Sequence, residues 1–212
     1  MTVATADPRQ VRREAKLAQI VAEAWTLARS EGLAVLSLRD LANRVGLRQP
    51  SLYVYFASKS DLYDELFADG YRQLLDFVRA KPLGSRSGDP RRALARFAAG
   101  LVQFSSDDIV RHQLLFQRTI PGFEPSPQSY ALAVEFYDHA VELLAAAGVH
   151  AQSDVDVFTA LIAGLGHQQI ANDPGGKRWV RQAGRVVEMF LADVDRRRSR
   201  PHSKGNATWT PK

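Results

Sequence analysis

The chain has 212 residues, a net charge of +5 and no cysteine. This length allows one large domain or two small ones with a buried core, and the lack of cysteine excludes disulfides, thiolate metal sites and cysteine nucleophiles. Residues 1–10 lack the apolar stretch of a signal peptide, and no apolar run approaches the roughly 18 residues of a membrane span. We therefore expect a soluble, cytoplasmic protein with no membrane partner.

Apolar residues recur at helical spacing along almost the whole chain, and Pro and Gly fall between these segments. The pattern predicts an all-α protein of about nine helices. The residues expected at or next to the helix starts are Pro8, Ser37, Pro50, Ser58, Pro90, Asp107, Pro127, Ser153 and the residues after Gly176. The stretch KPLGSRSGDP, residues 81–90, reads as a linker.

Charge is unevenly distributed along the chain. Residues 1–59 carry nine Lys or Arg against five Asp or Glu, residues 60–194 carry 13 against 17, and residues 195–212 carry six against one. The basic N-terminal segment indicates an anionic partner, although a solvated surface explains the same excess. The basic C-terminal stretch has few apolar residues, so residues 198–212 are predicted to form a disordered tail.

The stretch LRQPSLYVYF is predicted to be a short helix and not a strand, because it contains a proline and its apolar residues do not alternate with polar ones. At about 100° per residue, Leu52 and Phe56 lie on one side of the helix. Pro50, Ser51 and Val54 lie opposite and form a compact surface that suits close approach to base edges in the DNA major groove. With the preceding helix and its glycine-containing turn, this pattern predicts a helix-turn-helix.

The stretch LSLRDLANRVGLRQPSLYVYFASKSDLYDEL closely resembles the DNA-binding head of the TetR family of one-component regulators, and the match covers residues 12–66. Ser37 stands where the family commonly has Thr, and Leu47 where it commonly has Val. The resemblance implies a helix-turn-helix domain over residues 8–57 and an effector-binding and dimerisation domain over residues 58–197. It assigns to the DNA interface Ser37, Arg39, Arg48, Gln49, Pro50, Ser51, Tyr53, Tyr55 and Lys59.

Side-chain chemistry suggests a role for most of these residues. Arg39 can offer a bidentate fork to guanine or to phosphate, and Gln49 can pair with adenine. Lys59 suits a phosphate, and Tyr53 and Tyr55 suit sugar and phosphate through their rings and hydroxyls. Two alternatives stay open: Tyr55 as a purely structural residue of the head, and Arg39 as a solvated charge.

One short recognition helix covers few base pairs, so we expect a homodimer that binds a palindromic double-stranded DNA operator. The last two long helices are the expected dimer interface, and an intramolecular core is the alternative for the same residues. The residues concerned are Ala160, Ala163, Gly164 and Gly166 in one helix, and Trp179, Val180, Ala183, Val187, Phe190 and Leu191 in the other.

The aromatic-rich segment 97–137 is predicted to line an apolar cavity for a small-molecule effector of unknown identity. The candidate ligand-binding residues are Gln103, Phe104, His112, Phe116, Arg118, Phe123, Tyr130, Phe136 and His167. Phenylalanine at helical spacing is also typical of plain core, and histidine of core or interface, so that alternative stays open.

No metal, cofactor or enzymatic activity is predicted. The sequence has no His pair at i, i+4, no paired carboxylate site and no glycine-rich phosphate loop. The expected function is a ligand-responsive transcriptional repressor, with an activator of the same fold as the nearest alternative. A helical enzyme and a non-specific DNA-coating protein are the alternatives from other classes.

Overall fold

The structure is a computed structural model that describes residues 7–80 and 88–199. Within those residues it contains nine α-helices, one 3-10 turn and no strand, which confirms the predicted all-α fold class. Residues 200–212 of the predicted tail and residues 81–87 of the predicted linker lie outside the described residues. Arg198 and Ser199, which the sequence assigns to the tail, are the last residues of the final helix. The helices are α1 (Pro8–Glu31), α2 (Leu38–Arg44), α3 (Gln49–Leu52), α4 (Lys59–Ala80), α5 (Pro90–Asp107), α6 (Ile109–Phe116), α7 (Pro127–Ala146), α8 (Gln152–Asn172) and α9 (Ala183–Ser199), with the 3-10 turn at Val180–Gln182.

The helix starts follow local capping signals in the sequence. Ser58 and Asp61 form a reciprocal capping box at the start of α4: the Asp61 N–H donates to Ser58 Oγ (3.1 Å), and the Ser58 N–H donates to the Asp61 carboxylate (2.9 Å). Helix α6 begins slightly later than expected. Asp108, and not Asp107, is its N-cap, and the Asp108 carboxylate accepts the Arg111 N–H at 3.0 Å.

The described residues fall into two compact units, one of residues 7–80 and 104–139 and the other of residues 88–103 and 140–199. In the first unit, α1 packs against α2 and α4, α2 packs against α3, and α4 packs against α6. Apolar burial therefore packs the helices of the N-terminal head against α4. The head core includes Ile20, Leu27, Leu41, Leu52, Phe56 and Leu62.

In the second unit, α8 and α9 pack against each other, with the rings of Phe158 and Phe190 5.6 Å apart. The sequence places Phe190 and its neighbours on α9 at a contact with a second subunit. The structure buries Ala183, Val187, Phe190 and Leu191 within the single chain, and the contact of this helix with a second subunit stays a prediction. Helical periodicity marks an apolar face without specifying its partner.

Gln169 in α8 organises the connection to α9 and is fully buried. Its Nε2 donates to the backbone oxygen of Asp173, and its Oε1 accepts the N–H groups of Trp179 (2.9 Å) and Val180 (3.3 Å). The Arg178 N–H donates to the Asp173 carboxylate at 2.7 Å, and this bond, aided by Gln169, lowers the pKa of Asp173. One amide side chain thus satisfies backbone groups on both sides of the connection.

Replacing Gln169 with leucine is expected to lower the free energy of unfolding by about 3 kcal/mol, because it leaves two backbone N–H groups without their acceptor. Urea denaturation followed by circular dichroism measures the loss. The matched control is Gln168→Leu at the exposed neighbouring position, for which we expect a change within about 0.5 kcal/mol. Equal losses in the two variants would contradict this role for Gln169.

Candidate nucleic-acid interface and aromatic cleft

The turn between α2 and α3 has the geometry of a Schellman motif. Gly46 adopts a φ of 68°, in the left-handed region that favours glycine. The Gly46 N–H donates to the Asn43 carbonyl (3.2 Å), and the Leu47 N–H donates to the Ala42 carbonyl (2.9 Å). These two bonds fix the direction in which the chain leaves α2 and enters α3.

Helix α3 ends at Leu52, and the turn of residues 53–55 continues it; along the two together, the buried and exposed sides differ in the way the sequence predicts. Leu52 and Phe56 are buried, with 1% and 3% of their surface exposed, and the Phe56 N–H donates to the Leu52 carbonyl at 3.1 Å. On the outer side Val54 is 70% exposed and Tyr53 47% exposed. The other exposed residues at this surface are Gln49, Pro50 and Ser51. The outer surface therefore offers small groups, one amide and one phenol.

Exposed basic side chains lie on α2 and immediately before α3. Arg39 on α2 and Arg48 before α3 are exposed, and so is Arg44, which the sequence did not single out. Tyr55 is half-buried, so part of its ring belongs to the head. Guanidinium groups on these two neighbouring helices are of a type suited to phosphate and base contacts on a duplex.

Ser37 and Lys59 have structural partners within the head. Ser37 caps α2 by accepting the Asp40 N–H at 3.3 Å. The Lys59 ammonium donates to the Ala34 carbonyl at 2.9 Å. Because an ammonium has three N–H donors, this bond holds Lys59 in place and leaves donor capacity for a phosphate.

A cleft of about 410 Å³ lies in the same unit, formed by α4, α6, the segment 117–126 and the start of α7. Such a volume is within the range of small-molecule sites. Four predicted ligand-binding residues line it: Phe116, Arg118, Phe123 and Tyr130. Phe67 and Tyr71 of α4 complete its aromatic wall, and the sequence did not identify them because their spacing is that of ordinary core residues.

The other predicted ligand-binding residues lie outside the lining of this cleft. His112 and Phe136 are buried next to lining residues: the His112 ring lies 5.4 Å from the Phe116 ring, and the Phe136 ring lies 6.3 Å from the Tyr71 ring. Phe104 is also buried, but it contacts Arg111 and Phe77, which do not line the cleft. Gln103 and His167 belong to the second unit. His167 is exposed on α8, with Nδ1 2.9 Å from the Ala163 carbonyl.

The cleft lining contains little charge. Its charged side chains, Arg118 and Glu124, are both exposed at the rim and opposite in sign. Burial raises the pKa of the Tyr71 hydroxyl, with a further contribution from Tyr130, so this group stays a neutral phenol. The Tyr71 hydroxyl donates to the Leu115 carbonyl at 3.3 Å.

Among the described residues, no group of three or more His, Asp or Glu is placed to hold a metal ion. In the same part of the chain, no helix combines the length and the apolar character needed to cross a membrane.

Sequence comparison places the head in a known family. Residues 20–66 match the model of the N-terminal domain of "Bacterial regulatory proteins, tetR family". The HTH-type transcriptional regulator Rv1816 of Mycobacterium tuberculosis is 31% identical over 127 residues, which are 57% of this chain and 53% of that protein. The HTH-type transcriptional repressor Rv1353c of the same organism is 27% identical over 142 residues, 67% of this chain and 51% of that protein. The chain thus spans about half the length of these relatives.

Solved structures share the fold over most of the chain. The crystal structure of SCO4313 superposes with a TM-score of 0.66 and 26% identity, covering 89% of this chain and 98% of that one. TetR from Acinetobacter baumannii in complex with minocycline gives a TM-score of 0.58 at 21% identity, covering 86% and 98% of the two chains. The match to the family model, on a fold shared with solved structures, identifies residues 20–66 as an N-terminal domain of the tetR family of bacterial regulatory proteins.

Proposed function

We propose that this protein is a transcriptional repressor that binds a palindromic DNA operator as a homodimer and releases it when a small molecule occupies its body. The outer surface of α3 is the observation that carries the proposal. Leu52 and Phe56 anchor the helix from beneath, while Pro50, Ser51 and Val54 are exposed where a surface helix usually has long charged side chains. A compact outer surface lets the helix approach base edges and thymine methyl groups closely.

Repression, and not activation, is proposed from one relative. Rv1353c, which is named a transcriptional repressor, aligns with two thirds of this chain. In a reporter assay with the bound DNA placed at a promoter, a repressor lowers expression and its deletion raises it. The opposite result would assign activation.

An exposed apolar stripe on α8 supports dimerisation. The inner side of α8, which includes Phe158 and Ile162, is buried within the chain. Its outer side exposes Val157 (50%) and Leu161 (39%), and Gly164 continues the stripe with open space where a Cβ would stand. A helix that is apolar on both sides has one side left for a further partner, and a second copy meets the two-fold requirement of a palindromic operator.

The test is selection of bound fragments from the DNA of the organism that encodes this chain, followed by gel shift at two salt concentrations. The proposed function predicts retention of particular fragments in the presence of competitor DNA. Binding that is independent of sequence and disappears steeply with salt would indicate a non-specific DNA-coating protein instead.

The effector that suits the cleft is an uncharged planar aromatic molecule. Flat rings of Phe67, Phe116 and Phe123 line the wall, and aromatic pairs prefer offset or edge-to-face contacts with a ring ligand. The inner wall has no ion to pair with a ligand charge, and burying an unpaired charge is costly. Charge on a ligand would therefore have to remain at the rim.

N-phenyl-1-naphthylamine and its sulfonated analogue 1-anilinonaphthalene-8-sulfonate test this, because they share one ring skeleton and differ by a negative charge. We expect the uncharged probe to bind at least about tenfold more tightly in a fluorescence titration. Phe123→Ala is expected to weaken its binding, whereas the control Tyr137→Ala, exposed on α7 outside the cleft, leaves it unchanged. Equal or tighter binding of the sulfonate would contradict the assignment.

A further inference from the structure

The segment between α6 and α7 has a rigid turn that determines where Phe123 stands. Pro121 and Gly122 are the central residues of this turn, which the Phe123 N–H closes by donating to the Ile120 carbonyl at 3.3 Å. Gly122 has a φ of 71°. Proline followed by a glycine with positive φ is the signature of a type II turn, so the Phe123 ring is presented by a backbone of restricted freedom.

The end of this segment is bonded to α4. The Asp64 carboxylate accepts the Ser126 N–H (2.7 Å), the Ser126 hydroxyl (2.7 Å) and the Ser129 hydroxyl (2.8 Å). Ser126 caps α7 by accepting the Ser129 N–H at 3.2 Å, and Asp64 holds this capping serine from a different helix. Three bonds to one carboxylate form a strong attachment. Both the turn at Phe123 and the end of the segment are therefore held in place, one by its own backbone and the other by α4.

Phe123 stands between the cleft and the head. Its ring lies 6.4 Å from the Phe67 ring, on the side of the cleft, and 5.7 Å from the Tyr63 ring in an edge-to-face contact. Tyr63 is buried, and its hydroxyl donates to the Leu33 carbonyl at 2.6 Å. Leu33 lies between α1 and α2, so one side chain joins the wall of the cleft to the turn that leads into the helix-turn-helix.

Lys59 reinforces the same junction. Its ammonium stands 5.4 Å from the centre of the Tyr63 ring and donates to the carbonyl of Ala34, next to Leu33. Two consecutive carbonyls of the head are thus held by residues one turn apart at the start of α4. A displacement of the Tyr63 ring would disturb both bonds together.

We propose that the contact between Phe123 and Tyr63 carries occupancy of the aromatic cleft to the DNA-binding head. This inference rests on the proposed function. An occupant that presses on Phe123 moves the Tyr63 ring, because a close-packed interior leaves no room for the two rings to overlap. The hydrogen bond from the Tyr63 hydroxyl then either displaces the Leu33 carbonyl or breaks. Because Leu33 lies in the turn before α2, either change alters the orientation of α2 and α3. Tyr63 is in this sense a positioning residue.

The absence of cysteine from the chain allows a test with a tethered occupant. Thr119, which is exposed in the lining of the cleft, is replaced by cysteine and labelled with N-(1-naphthyl)maleimide. We expect labelling to weaken binding to the selected DNA by at least about tenfold, within the usual range of coupling between two sites. The same label on Tyr137→Cys, exposed on α7 outside the cleft, is expected to change binding less than about twofold.

Tyr63→Phe in the Thr119→Cys background tests the route itself. This change removes the hydroxyl and keeps the ring, and the Leu33 carbonyl still accepts the Leu36 N–H. The measured quantity is the ratio of DNA affinities without and with label, which we expect to fall below about threefold. Phe123→Leu removes the ring contact with Tyr63 and keeps the bond from the Tyr63 hydroxyl to Leu33. We expect this variant to lower the ratio as well.

The matched control is Trp25→Phe, which removes another hydrogen bond between the head and α4, from the indole N–H to Asp69 (2.7 Å), away from the cleft wall. In this variant the ratio of DNA affinities without and with label is expected to stay near tenfold. A label on residue 119 that leaves DNA binding unchanged, or a ratio that stays at tenfold in both Tyr63→Phe and Phe123→Leu, would overturn the inference. If the unlabelled chain selects no DNA, the proposed function itself fails.

Discussion

Replacing Gln49 and Tyr53 together with alanine is expected to weaken binding to the selected DNA by at least about 100-fold. Both side chains are exposed at α3, and each base or backbone contact of this kind contributes about 1–3 kcal/mol. Loss of two such contacts, at about 1.4 kcal/mol for each factor of ten, gives the stated change. Titration of a fluorescent operator duplex measures it.

The matched control carries the same two substitutions on another surface. Gln128 and Tyr137 are exposed on α7, away from the helix-turn-helix, and their double replacement by alanine is expected to leave DNA affinity within about twofold. Circular dichroism and thermal melting verify that both double variants are folded. Retention of full affinity in the Gln49 and Tyr53 variant would remove α3 from the interface.

Leu161→Asp is expected to convert the proposed dimer to a monomer. Leu161 is at the centre of the exposed apolar stripe on α8, and a carboxylate there would be buried without a partner in a dimer. The single head of a monomer binds operator without a linked second head, so apparent affinity is expected to fall by about 100-fold or more. Sedimentation velocity measures the mass, and the same DNA titration measures the affinity.

Val134→Asp is the control for this variant. Val134 is exposed on α7 to a similar extent, and it belongs to the first unit, so the dimer is expected to persist. A Leu161→Asp protein that remains a dimer with unchanged DNA affinity would place the interface elsewhere on the chain. A folded monomer that still binds operator tightly would contradict the need for two linked heads.

Local sequence signals determined most of the head. Ser37 and Gly46 begin and end α2 because a hydroxyl can accept the first free N–H groups and glycine tolerates positive φ. The two sides of α3 follow from residue spacing alone, since a helix turns by a constant angle and large apolar groups leave water. For these reasons the buried Leu52 and Phe56 and the exposed Val54 could be predicted before any tertiary contact was known.

Contacts between distant residues decided the rest. The bond from Ser126, the N-cap of α7, to Asp64 joins positions 62 residues apart, and the bond from Tyr63 to Leu33 joins positions 30 residues apart. Neither leaves a pattern in the sequence, because a serine, an aspartate or a tyrosine at a helix end has many local uses.

The sequence also could not tell which aromatic residues belong to the core and which to the cleft. Phe104 and Phe116 have equivalent helical settings in the sequence, yet one is buried under Arg111 and the other faces the cleft. On α8 and α9, helical spacing identified apolar residues, and only packing determined that α9 turns them inward whereas α8 leaves Val157 and Leu161 outside. Periodicity specifies which side of a helix is apolar, but the neighbouring helices determine whether that side meets core, ligand or a second chain.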